Sequence, residues 1–72
     1  PKKEAAKYNA IVLEFKVFDA CDERTLEDTA QSALRQIEEK NYDVELLSCG
    51  IAKERIKHYG FAFEGKRVLI AE

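Results

Sequence analysis

A chain of 72 residues, 46% hydrophobic and 36% charged, suits one small domain, or a piece of one, and excludes a disordered tail. Its net charge of −2 removes the electrostatic footprint of a general nucleic-acid binder, though not that of an enzyme reaching nucleic acid through a metal. Three Gly and one Pro leave no room for a flexible linker. No apolar run approaches the ~18 residues of a membrane span, and no signal-peptide pattern is present, so no membrane partner is expected.

Methionine is absent, and the chain opens at Pro1 in the charged stretch Lys2-Lys3-Glu4-Ala5-Ala6-Lys7, which reads as an excerpt from a longer protein. Residues 1–9 read as loop. Residues 10–18, Ala-Ile-Val-Leu-Glu-Phe-Lys-Val-Phe, are β-branched and aromatic and predict a strand. In an extended chain residues two apart share a face. Ile11, Leu13, Phe15 and Val17 therefore make one continuous hydrocarbon face, which is expected in a core. Glu14 and Lys16 lie on the other face with Val12 and Phe18.

Asp19 to Arg24 is polar and turn-like. Residues 25–40 predict a helix, with Leu26, Ala30, Ala33, Leu34 and Ile37 on its apolar stripe. Thr25 with Asp28 resembles a capping box, and Asn41 is a stop signal. Residues 42–49 predict a short second helix with Val44, Leu46 and Leu47 on its apolar side, closed by Gly50. In residues 55–63, Lys57, Tyr59, Phe61 and Phe63 alternate with Ile56, His58, Gly60 and Ala62, which predicts a second strand. Its aromatic face is assigned to the core in preference to a base-stacking platform. Glu64-Gly65 signals a tight turn into a third strand, residues 66–71.

The order β-α-(α)-β-β predicts an α/β (α+β) fold: a small mixed three-stranded sheet with a helix packed on one face. The strand-helix-strand passage makes the first two strands parallel. The open sheet edge invites a homodimer by strand addition.

Charges are rarely left in a buried run without a partner or a metal. Glu14 can supply a carboxylate ligand to a hard cation such as Mg²⁺, and the backbone carbonyl of Phe15 can supply another. Lys16 can orient or deprotonate a water and offset charge on a phosphoryl group. The same pattern recurs at Glu38-Glu39-Lys40 and Glu64-Gly65-Lys66, where solvated helix charge and turn polarity explain it. The residues alone leave two readings of the Glu14–Lys16 pair open, a metal site or an edge-strand charge pair that discourages aggregation.

Cys21 and Cys49 fit no zinc or redox spacing and read as reduced thiols of a cytoplasmic protein. His58 reads as a satisfied or surface histidine. Gln36 sits at the flank of the helical stripe, where it can reach over the sheet. Lys40 is assigned to the opposite flank as a solvated charge near the helix C-terminus.

Ala10-Ile-Val-Leu-Glu-Phe-Lys-Val17, Ala33-Leu-Arg-Gln-Ile-Glu-Glu-Lys-Asn-Tyr42 and Tyr59-Gly-Phe-Ala-Phe-Glu-Gly-Lys66 together resemble the last part of a PD-(D/E)xK nuclease-like domain. More narrowly, they resemble the domain at the C-terminus of bacterial proteins with an AAA-ATPase-like region. The resemblance implies a truncated restriction-endonuclease-like core that hydrolyses DNA or RNA with Mg²⁺ or Mn²⁺. It makes Glu14 a metal ligand and Lys16 a catalytic residue, with Gln36 assisting as helix glutamines do in related nucleases. The family's metal-binding Asp lies on the strand before this one and has no counterpart here, since Glu4 falls in the charged opening. With one carboxylate, the chain alone is expected to bind metal weakly or not at all and to be inactive. A non-catalytic interaction module on a degenerate nuclease fold is the alternative.

Overall fold

In the computed structural model, residues 8–72 are described. Residues 1–7, with Glu4 and most of the loop expected over 1–9, lie outside the described residues. The elements run β1 (Ala10–Val17), α1 (Leu26–Lys40), α2 (Asp43–Ser48), a single 3₁₀ turn (Lys53–Arg55), β2 (Ile56–Glu64) and β3 (Arg67–Ala71). They form a mixed three-stranded sheet in the order β1-β2-β3, with α1 packed on it. β1 and β2 are parallel, with Glu14 beside Gly60 and Lys16 beside Ala62; β2 and β3 are antiparallel, with Gly60 beside Ala71. The α+β class and the element order match the sequence reading.

Local chemistry explains the boundaries of α1. Thr25 is extended and its Oγ1 accepts the Asp28 N–H at 3.2 Å, while Asp28 Oδ2 accepts the Thr25 N–H at 3.1 Å. This reciprocal box satisfies donors that an uncapped helix leaves orphaned. At the other end Asn41 adopts a left-handed conformation, φ 53°, and its N–H returns to the carbonyls of Ile37 and Glu38. Asn tolerates that conformation better than other side-chain-bearing residues.

The core beneath α1 is built from small residues. Its buried hydrophobics are Val12, Leu26, Ala30, Ala33, Ile37, Ala62 and Ala71, joined by buried Thr29. Leu34 is only partly buried. Gly60, at the centre of the sheet, decides how closely the helix approaches. A Cβ there would stand 2.5 Å from the Ala30 carbonyl oxygen, 3.0 Å from the Leu34 nitrogen and 3.1 Å from the Ala33 Cβ. Main-chain atoms cannot swing aside as a flexible side chain can, so only glycine fits.

Two assignments of strand faces are corrected by the structure. The apolar face of β1, expected in a core, is exposed, from 43% at Leu13 to 72% at Val17. α1 instead covers the face that carries Val12, Glu14 and Lys16. The aromatics of β2 also fall outside the helix-covered core: Tyr59, Phe61 and Phe63 are half-buried on the open face. The physical reason is room. A helix seated against Gly60 and Ala62 fits the small-residue face, and it would be held off by phenylalanines. On α2, Val44 and Leu47 are exposed and no residue is buried, so its predicted apolar side covers little.

The Gly60 contact yields a stability prediction. Gly60→Ala should lower the unfolding free energy by about 1–3 kcal/mol, the usual cost of overpacking, read from the denaturant midpoint at fixed protein concentration. Gly65→Ala is the contrast. Gly65 has φ +59° in the hairpin turn and open space around a would-be Cβ, so only backbone strain of about 1–2 kcal/mol should be seen. Equal tolerance of alanine at position 60 and in solvent-exposed strand positions would show that α1 does not seat on that glycine.

Candidate active site

β1 holds Glu14 and Lys16 on one face, about 7 Å apart along the strand, both partly shielded under the flank of α1. Each is met by an opposite charge from a different part of the chain. Lys40 Nζ, from the last turn of α1, donates to Glu14 Oε1 at 2.6 Å. Lys40 is an exposed charge in the last helical turn, as read, but its assignment to a flank away from the site is corrected: the helix ends over β1 and brings its ammonium to the carboxylate. Glu14 holds the Lys40 ammonium above the ordinary lysine range, chiefly through that hydrogen bond, with a smaller contribution from Tyr42.

Lys16 pairs with Glu23, whose carboxylate Oε2 accepts from Nζ. Glu23 is 8% exposed and is one of two polar residues buried among the described residues. Its Oε1 accepts the Asp19 N–H at 2.8 Å and the Thr29 hydroxyl at 2.9 Å. The loop between β1 and α1 is tied to itself, with the Glu23 N–H on the Asp19 carbonyl at 2.8 Å and the Cys21 N–H on Asp19 Oδ1 at 2.9 Å. That closed turn points Glu23 back toward the sheet. The Lys16 hydrogen bond, then the Asp19 N–H and the Thr29 hydroxyl, outweigh the cost of burial and pull the Glu23 carboxyl down to about 2.

Lys16 and Glu23 line a cleft of about 350 Å³ between β1 and α1, together with Asp22, Asp28 and Arg35. Its acidic groups outnumber its basic ones. A larger cleft of about 560 Å³ lies at the start of β2, against His58 and Tyr59, and contains none of the expected site residues. There His58 Nε2 meets Asp43 Oδ1 at 2.7 Å, so the histidine is satisfied by a neighbour on α2. Cys21 and Cys49 are exposed free thiols.

The structure brings Glu14 and Lys16 together and adds Glu23 and Lys40 to them. Gln36 lies one turn before Lys40 on α1, half-buried, and takes part in neither ion pair. The Phe15 side chain points to the open face, leaving its main-chain carbonyl between the two charged residues. Glu23 reads in the sequence as turn polarity. Its only signal is a carboxylate four residues after Asp19, too common a spacing to single out.

These donors do not make a resident Mg²⁺ site. Mg²⁺ takes six oxygen ligands in near-octahedral geometry. Among the described residues the available set is one carboxylate and one carbonyl, and Lys40 already holds an oxygen of that carboxylate. Glu23 is committed to Lys16, Asp19 and Thr29. Among the described residues no group of three or more His, Cys, Asp or Glu is gathered to hold a metal. No helix of the described residues is long and apolar enough to cross a membrane.

A pH prediction follows from Glu23. A carboxyl with a depressed folded-state value stabilises the fold above its unfolded value, 4.5, and that stability is lost as the pH falls toward about 2. Wild-type stability should therefore decline on acidification across that window. Glu23→Gln should be less stable at neutral pH and show a flatter acid limb in denaturant titrations at several pH values. An unchanged acid limb in the variant would remove Glu23 as its source.

No curated protein and no solved structure matches the chain. The family model of the PD-(D/E)XK nuclease superfamily matches residues 1–72. That match spans the β1 strand with Glu14 and Lys16, the helix laid over it and the hairpin that completes the sheet, and the chain belongs to the PD-(D/E)XK nuclease superfamily.

Proposed function

We propose that this chain supplies the Glu-x-Lys half of a phosphodiester-hydrolysing site acting on DNA or RNA with Mg²⁺ or Mn²⁺, the remaining metal-binding carboxylate coming from residues outside it. The observation that carries this reading is the placement of Glu14 and Lys16 on one strand face, each anchored by a second residue, in a chain of this superfamily. Catalytic groups must be held to within about half an ångström, and a strand braced by ion pairs meets that need better than a loop.

In this reading Lys16 presents a positive charge to the phosphoryl oxygens or to the attacking water, and Glu23 keeps its ammonium in place. Glu14 is the acidic member, neutralised by Lys40 in the chain alone. Gln36, half-buried one turn before Lys40 on α1, is assigned the role of orienting a water or a substrate oxygen with its amide. The acidic excess of the cleft disfavours a bare phosphate, which is one reason to expect no activity from the chain by itself.

A second reading, a non-catalytic module on the nuclease fold, draws on the same ion pairs. Both signature residues are already satisfied within the chain. Cleavage of labelled DNA and RNA separates the two. The 72-residue chain should be inactive in Mg²⁺ or Mn²⁺. The longer parent, with the missing carboxylate, should cleave, and Glu14→Gln or Lys16→Ala should each lower kcat by roughly 10²–10⁴-fold. Metal titration of the parent by NMR should perturb Glu14 to Lys16. A parent that neither cleaves nor responds to metal there would sink the catalytic reading in favour of the second.

A further inference from the structure

Of the two ion pairs on the helix-covered face of β1, one is closed and the other is able to open. Glu23, its side chain 5% exposed, is held by Lys16, the Asp19 N–H and the Thr29 hydroxyl. Glu14 accepts a single hydrogen bond from the described residues, that of Lys40. The Glu14 side chain is 16% exposed, whereas that of Lys40 is 49% exposed. The acid is therefore fixed under the helix, and its counter-charge rides on a flexible stem with half its surface in water.

We propose that the Lys40 ammonium holds the carboxylate that a divalent cation needs, so that a divalent cation binds Glu14 only by displacing it. The proposal rests on the reading of Glu14 as the acidic member of the site and deepens it. The chain is closed to metal by its own lysine, and not only by a shortage of oxygens. An ammonium is a compact, strongly hydrated point charge and competes for the same oxygens as a hard cation. Glu14 and Lys40 together are neutral, so a dication arriving there meets no net attraction and a like-charged neighbour. A second carboxylate from outside the chain leaves the same group with one negative charge in excess, which a dication compensates better than an ammonium does.

The exchange asks little of the fold. Lys40 lies in the last turn of α1, and Asn41 closes the helix behind it with its N–H on the Ile37 and Glu38 carbonyls. A cation is favoured at that end of a helix whether or not it touches Glu14. The released ammonium therefore stays beside the C-terminal turn, already half in solvent. Lys16 has no such freedom, because its partner is the buried carboxylate that also ties Asp19 and Thr29 together. The two lysines near the strand thus differ in kind: one is locked in place and the other is exchangeable.

Mn²⁺ titration of the 72-residue chain, read from broadening of the Glu14 to Lys16 amide signals, tests the displacement. Lys40→Met keeps the stem and removes the charge. It should bind Mn²⁺ at Glu14 roughly tenfold more tightly than the unaltered chain, the size of one such repulsion across a few ångströms of water. Lys40→Arg should match the unaltered chain. Lys57→Met makes the same change in net charge at an exposed residue beside Ile11, and should not tighten binding. A folded Lys40→Met chain of unchanged affinity overturns the proposal, as does equal tightening by Lys57→Met. Should Lys40→Met fail to fold, the longer parent decides. As Mg²⁺ is added to it, the Lys40 ammonium and Glu14 carboxylate signals should shift with one midpoint. Metal on Glu14 with the Lys40 signal unmoved removes the displacement and leaves the nuclease reading standing. A parent whose Glu14 never responds to metal removes both.

Discussion

Everything in this fold turns on how closely α1 lies against β2 at Gly60. The absence of one Cβ lets the Ala30 and Ala33 turn of the helix rest on the centre of the sheet. Helix and sheet are thereby locked with a core of mostly one-carbon side chains, which is dense but supplies little apolar area. The same proximity sets the reach of the polar side chains at the two ends of the helix. Thr29, near its start, touches Glu23, and Lys40, at its end, touches Glu14. A helix held further away would take Lys40 from Glu14 and the Thr29 hydroxyl from Glu23.

The charged face of β1 is therefore the covered one, and each charge on it has an answer. Burial of an ionised group is tolerated when it is paired and hydrogen-bonded. Glu23 meets that condition with three donors, and its depressed carboxyl value expresses the same fact electrostatically. The polar interior is a frame around Lys16 more than a binding site, because its oxygens are already spoken for. Superfamily membership is shown by the family model, and the geometry shows that each charge on this strand face is paired.

The opposite face has the reverse character. An exposed Phe15, the half-buried Phe61 and Phe63 beside it and a row of exposed aliphatic residues stand there, with no helix of the described residues over them. The sheet thus meets the helix through Gly60, Ala62 and Ala71, flanked by Val12 and Leu69, and carries its phenylalanines on the other side. The functional strand is shared between them: Glu14 and Lys16 point one way, Phe15 and Val17 the other.

Periodicity and capping chemistry were enough to determine the element order, the α+β class, the Thr25–Asp28 cap, the Asn41 stop and the shared face of Glu14 and Lys16, because these depend on neighbours within about four residues. The side of the sheet that the helix would take was undetermined, because hydrophobic alternation says that a strand has two faces and not which one is covered. Bulk suggested the phenylalanines; close packing at Gly60 selected the small residues. Lys40 and Glu23 were invisible as partners for a related reason. Lys40 lies 26 positions from Glu14 in the chain, and the turn that aims Glu23 exists only once Asp19 bonds across it. Local pattern wrote the elements, and the seating of one helix on one glycine decided which charges would meet and which hydrocarbon would be left bare.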